Sequence, residues 1–186
     1  IKDSALNILS HSIELKSDMR LNFYISGAAL EGAVDYYIVF NKTEDYNNEI
    51  GALTVGKDGF TETYGYYFAQ YPVIRGCEMT VEIEAVLYVE YADGTVRCSA
   101  VTDSSSVAEC LEDSMLDWEA RVKRNEYADY YSKMITLAVE MLNYGAEAQK
   151  QFGFKDAEEE LATKVLTDEL KSYALAEDPT PVKNLN

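Results

Sequence analysis

The stretch CEMTVEIEAVLYVEYADGTVRCSAV, residues 77–101, decides the fold, because its apolar residues recur at every second position. Met79, Val81, Ile83, Ala85, Leu87, Val89 and Tyr91 share one side of an extended chain. Glu78, Thr80, Glu82, Glu84 and Glu90 take the other, so the segment reads as sheet with one buried and one solvated face. Asp93-Gly94 tolerates positive φ and marks a tight two-residue turn. That turn places Tyr91 opposite Val96, Val89 opposite Cys98 and Leu87 opposite Ala100, so Cys98 is expected in the core.

The same register bears on the three cysteines. Cys77 and Cys98 are too far apart along a flat hairpin to bond. Cys77 and Cys110 sit at its two open ends, and a disulfide there requires the chain entering the next helix to turn back. The simpler reading leaves all three thiols reduced and packed as small apolar side chains. An odd count without CxxC and with a single histidine fits neither a disulfide scaffold nor a zinc site.

Strand patterns continue upstream. SIELKSDMRLNFYIS (12–26) reads as two strands broken near Ser17-Asp18, with Leu21, Phe23 and Ile25 on one face. VDYYIVF (34–40) has the continuous apolar run of a central strand. GALTVGKDGFTETYGYYFAQY (51–71) is expected to form a hairpin around Lys57-Asp58-Gly59. Downstream of Asp103 the period changes. Ser106 and Glu109 form a capping box ahead of a short helix carrying Val107, Cys110 and Leu111. A longer helix is expected from about Tyr127 to Phe152, with an apolar stripe through Tyr130, Met134, Leu137, Ala138, Met141, Leu142, Ala146, Ala148 and Phe152. Gly145 in mid-helix implies a close backbone neighbour. The expected fold is α+β: a small antiparallel β-sandwich of about six to eight strands, packed by C-terminal helices. The expected organisation is a sandwich with its helical hairpin over 1–154, a helical C-terminal extension over 155–178 and a linker over 179–186.

Composition narrows the function. Acidic residues number 33 against 16 basic ones, a formal net charge of −17, which repels nucleic acid and anionic lipid. No apolar run is long enough to span a bilayer. The start at Ile1 and the linker-like EDPTPVKNLN (177–186) suggest a module of a longer polypeptide. There is no GxGxxG or GxxxxGK[ST], so no nucleotide cofactor is expected. His11 lacks any accompanying triad motif and reads as an ordinary exposed residue. NKTEDYNNE (41–49) offers oxygen ligands without the spacing of a known calcium loop, and no metal is expected. Glu78, Glu82, Glu84 and Glu90 read as a wet strand face, not a hydrolytic pair.

The 15 tyrosines stand out. Neighbours on a strand face opposite ways, so one of Tyr36-Tyr37 and one of Tyr66-Tyr67 leaves the core. Tyr37, Tyr67, Tyr71 and Tyr88, if gathered on one outer face, would make a platform for stacking a sugar chain. The preferred alternative has the helices from residue 106 onward lie on that face and bury the rings.

KMITLAVEMLNYGAEAQKQFGF (133–154) resembles the helix that closes a strand-rich module of secreted, multimodular proteins from gut anaerobic bacteria. SDMRLNFYI (17–25) and YADGTVRCSAVTDSSSVAECLED (91–113) resemble other passages of that module. LDWEARVKRNEYADYY (116–131), the cysteines and the acidic segment after 155 depart from it. The resemblance implies a secreted or cell-surface bacterial setting, often beside dockerins (hence cellulosomes) or leucine-rich repeats, and it carries no site residues. The expected function is a non-catalytic accessory module, a structural spacer or protein-interaction unit. Its partners would be other domains of the same polypeptide or surface proteins. The alternative is a carbohydrate-binding module using exposed tyrosines on polysaccharide.

Overall fold

The computed structural model describes residues 1–16, 18–47 and 51–154, together with Leu161, Asp168 and Ser172. Its strands are β1 (Lys2–Asp3), β2 (Ile8–Leu15), β3 (Met19–Ser26), β4 (Ala33–Lys42), β5 (Ala52–Gly56), β6 (Thr61–Thr63), β7 (Tyr66–Ile74), β8 (Ile83–Tyr91), β9 (Val96–Ser99) and β10 (Asp103–Ser105). Two helices follow, α1 (Val107–Lys123) and α2 (Ala128–Phe152). The fold is the α+β sandwich that the alternation implies. The strands beyond the expected number are β1, β6 and β10, each too short to leave a periodic signal.

One sheet runs β1-β9-β8-β4-β5, with β10 paired to the free half of β8; the other runs β2-β3-β7-β6. Neighbours are antiparallel except β1, which lies parallel to β9. The inner faces meet through Leu21, Phe23 and Ile25 of β3, Ile38 and Phe40 of β4, and Ile83, Ala85, Leu87 and Val89 of β8, all fully buried. Met79 and Val81 are buried too, but they precede the strand, which begins only at Ile83 after a 3-10 turn over Gly76–Glu78.

Two turns differ from expectation. In the β8–β9 hairpin Gly94 lies at φ +80° and donates to the Tyr91 carbonyl at 2.9 Å, while Tyr91 N–H donates to Thr95 O at 3.0 Å. The loop is one residue longer than a two-residue turn, and the bulge slips the register: Tyr88 pairs with Cys98, Val89 with Arg97 and Glu90 with Val96. A one-residue slip exchanges faces. Cys98 therefore stands on the outer side beside Tyr88, and Ser99 enters the core, where its Oγ accepts from Leu87 N–H at 3.3 Å.

Residues 57–59 make no hairpin. They form a 3-10 turn that carries the chain from β5, in one sheet, to β6, in the other. The tight hairpin turn is Tyr64-Gly65, both at positive φ (49° and 81°), closing Thr63 against Tyr66. The fully exposed Tyr64 gave no cue, since tyrosine rarely adopts that conformation.

The helices close the side and the end of the sandwich. The capping box at Ser106 and Glu109 is present, but α1 extends through the DWEARVK segment to Lys123. Its Val107, Leu111 and Met115 join the inter-sheet core at the open side, where it touches β2 and β3. α2 packs on α1 and on the Gly76–Glu78 turn. A Cβ on Gly145 would come within 2.5 Å of Met79 Sδ and 3.3 Å of Gly76 O, which is the close backbone neighbour implied above. Gln149 Nε2 donates to Cys77 O at 3.1 Å and Thr80 Oγ1 at 3.0 Å. The buried stripe of α2 is consequently Ile135, Ala138, Leu142, Gly145, Ala146, Ala148 and Gln149; Tyr130, Leu137 and Phe152 are exposed. The stripe is turned because the helix meets a polar turn at its far end, not a sheet. The expected extension and linker fall outside the described residues, apart from Leu161, Asp168 and Ser172, which are helical. No helix among the described residues is long and apolar enough to cross a membrane.

Candidate binding face

The four candidate tyrosines do not gather. Tyr67 and Tyr71 point between the sheets, edge-on to Tyr36 (6.3 Å) and Phe40 (5.7 Å), and burial raises the pKa of the Tyr71 phenol. Tyr37 and Tyr88 lie opposite each other on the outer face of the six-stranded sheet. Their rings stack at 5.0 Å and 6°, so their inner faces are spent on one another. Among the described residues neither pair is buried by a helix lying on it. The expected platform is therefore absent, and among the described residues so is the expected helical cover.

A different surface carries an ordered array. Outward residues of β2, β3 and β7 fall into cross-strand rows: Ser12–Asn22–Gln70, Ser10–Tyr24–Phe68, and Glu14–Arg20. Arg20 donates to both oxygens of Asp18, at 2.7 and 2.9 Å, and through Nη1 to Gln70 Oε1 at 2.9 Å. Gln70 Nε2 donates to Glu14 Oε2 at 2.9 Å and to Asn22 Oδ1 at 2.8 Å. Asn22 Nδ2 reaches Ser12 Oγ at 3.4 Å, and Ser12 Oγ shares a hydrogen bond with Tyr24 Oη at 3.1 Å. Beside this ladder Tyr24 and Phe68 pack at 5.2 Å with planes 43° apart, and Tyr66 is half exposed. Each partner fixes the next, so the polar groups are held in place before any ligand arrives.

The ladder's charges are internally matched. Lys16 sits 2.5 Å from Glu14, and Arg20 holds Asp18. Lys16 lowers the pKa of the Glu14 carboxyl, and Arg20 that of Asp18, so both stay ionised well into mild acid. Sequence reasoning missed this face because the residues come from three strands. The cue was available in the polar alternation of Arg20, Asn22 and Tyr24, but a polar outer face reads by default as solvated surface.

Other charged groups are structural. Lys42 Nζ donates to Asp45 Oδ2 at 2.6 Å and to Glu78 Oε1 at 2.7 Å, and Glu78 Oε1 also accepts from Tyr46 N–H at 3.0 Å. Glu78 is 1% exposed, so the expectation of a wet Glu78 fails: the 3-10 turn aims it inward. Burial disfavours the Lys42 charge, but the two carboxylates outweigh it and raise the pKa of the amine. This cluster also occupies Asp45 of the 41–49 segment. Among the described residues no group of three or more His, Cys, Asp or Glu side chains is placed to hold a metal.

His11 is not an ordinary exposed residue. It lies in β2, half-buried, tilted against Phe23 at 6.2 Å, with Nδ1 3.5 Å from Asp103 Oδ2. Asp103 raises the pKa of the imidazole against the opposing effect of burial, with Asp113 and Glu109 adding to it. Cys77 and Cys110 are buried free thiols, not a disulfide; Cys110 Sγ contacts Ser105 Oγ at 3.3 Å. Burial pushes the Cys110 thiol up to about 11 and raises Cys77 as well, so both stay protonated and unreactive at neutral pH. The chain matches no protein-family model, and no curated protein matches it in sequence.

Proposed function

We propose that this chain is a non-catalytic accessory module of a larger secreted or cell-surface bacterial protein, and that it holds carbohydrate against the outer face of its four-stranded sheet. The observation that carries the reading is the Arg20–Gln70–Asn22–Ser12 ladder, fixed beside the Tyr24 and Phe68 rings on a face that carries neither helix. Helices lying on the tyrosine-bearing sheet face would leave no open aromatic surface, but α1 closes the sandwich side and α2 packs on the Gly76–Glu78 turn. Affinity electrophoresis against glucans, xylans, mannans and pectins tests the reading. Retardation by at least one of them, reduced by Phe68→Ala, is expected; mobility unchanged on every gel defeats it.

A second reading, a protein-interaction unit, is favoured by an apolar groove of about 680 Å³ where Leu15 and Val73 meet Leu137, Met141, Tyr144 and Phe152 of α2. Val73, Leu137, Tyr144 and Phe152 are all exposed. Leu137→Glu leaves glycan retention unchanged under the first reading and abolishes docking to a neighbouring domain under the second.

A further inference from the structure

Resting on the carbohydrate reading, we propose that the ligand of the ladder face is a neutral glycan held as a single twisted chain, not an acidic polysaccharide or a flat crystalline surface. Three observations carry this: the charge balance, the unused hydrogen-bonding groups and the angle between the rings.

The charge balance comes first. Across a molecule of formal charge −17, this face is locally neutral, with Lys16 and Arg20 set against Glu14 and Asp18. Both cations are already engaged by carboxylates at 2.5 to 2.9 Å, so an incoming uronate or sulfate finds no unmatched positive charge and meets two fixed anions. The remaining net charge repels it further. A neutral hydroxyl suffers neither penalty.

The unused groups point the same way. Arg20, about a third exposed, employs three of its five N–H groups within the ladder, whereas Asn22 is buried and serves only to hold Gln70 in place. Glu14 and Asp18 keep acceptor lone pairs alongside Arg20. Donors and acceptors thus alternate within a few ångströms. A sugar hydroxyl, which donates and accepts at once, uses both kinds; a carboxylate ligand uses only donors. Because every one of these side chains is already held by a neighbour, little rotamer freedom remains to be lost on binding.

The rings set the shape. Tyr24 and Phe68 sit opposite each other on adjacent strands with planes 43° apart. Successive sugars can each lie against one ring only if the chain rotates between them. A flat ribbon in a crystalline array meets one ring and leaves the other. The parallel pair on this molecule, Tyr37 with Tyr88, has its rings stacked on each other, so it offers no side-by-side flat platform.

The test is isothermal titration calorimetry of the whole chain with soluble xylan, galactomannan and mixed-linkage glucan, with polygalacturonate, and a pull-down on crystalline cellulose. The expected result is binding to at least one neutral soluble glycan, none to polygalacturonate, and no retention on cellulose. Gln70→Ala releases Arg20 and Glu14 from the partner that positions them and should weaken that binding roughly tenfold. Gln70→Glu, which keeps the shape but opposes Glu14, should weaken it at least as much. Glu90→Gln on the other sheet should leave it unchanged. Polygalacturonate or cellulose bound as well as the neutral chains overturns the inference while leaving the carbohydrate reading standing; no glycan bound at all overturns both. Binding untouched by both Gln70 variants, with circular dichroism confirming that each is folded, also overturns the inference by removing the ligand from this face.

Discussion

Two networks of acids and bases, one sealed and one open, are built from the same chemistry and do opposite work. Lys42, Asp45 and Glu78 are 10%, 11% and 1% exposed, and their bonds tie the end of β4 to the 3-10 turn under α2. Glu14, Asp18 and Arg20 are 23%, 20% and 36% exposed, and their bonds run along a surface. In the first, each charge has given up water and depends on its partner for stability. In the second, water remains available, the pairs contribute little to folding, and their geometry is free to serve a ligand. Burial, more than residue type, separates a network that holds the fold together from one left accessible at the surface.

That comparison can be broken or sharpened by mutation. The largest effect belongs to the sealed cluster. Glu78→Ala leaves a buried ammonium with fewer partners and should lower unfolding free energy by about 3 kcal/mol, read as a shift of the urea midpoint at constant slope. Tyr67→Ala should cost about 2 kcal/mol, because the ring packs between the sheets against Tyr36, and should leave glycan retention of the folded fraction unchanged. If it abolished retention without destabilising, the inward placement of Tyr67 would be wrong. Gly145→Ala gains helix propensity but drives a Cβ toward Met79 Sδ and Gly76 O, for a net loss of roughly 1 kcal/mol in the same assay.

The His11–Asp103 contact adds a pH dependence. Asp103 raises the folded-state pKa of His11 above its ordinary 6.5, so the stabilisation is complete below that value and is lost as pH rises through the higher folded value. Thermal melts of the parent chain should fall from pH 6 to pH 8.5 by an amount worth no more than about 1 kcal/mol. Asp103→Asn should flatten that fall. A fall of the same size in both proteins would assign it to other groups. The smallest effect on stability belongs to the open ladder: Gln70→Ala should change it by about 0.5 kcal/mol while weakening ligand binding.

Much of the fold was legible because it rests on local periodicity. Alternation in 79–91 named the buried set from Met79 to Val89, and Ser106 with Glu109 named the start of α1. The misreadings share a cause. The Asp93-Gly94 turn was recognised, but whether it holds two residues or three is decided by how β8 and β9 dock, and one residue moved Cys98 out and Ser99 in. Lys57-Asp58-Gly59 has the composition of a hairpin turn, yet β5 and β6 find partners in different sheets.

From sequence alone came the class of fold, the identity of most core residues and the helix cap, since each depends on neighbours within a few positions of the chain. Tertiary structure alone decided which face of each strand met which partner. It turned the stripe of α2 toward the Gly76–Glu78 turn, buried Glu78 against Lys42, and brought Glu14, Arg20 and Gln70 from three strands into one hydrogen-bonded network. The physical reason is that periodicity tells a residue to be in or out, but only long-range pairing tells it beside whom.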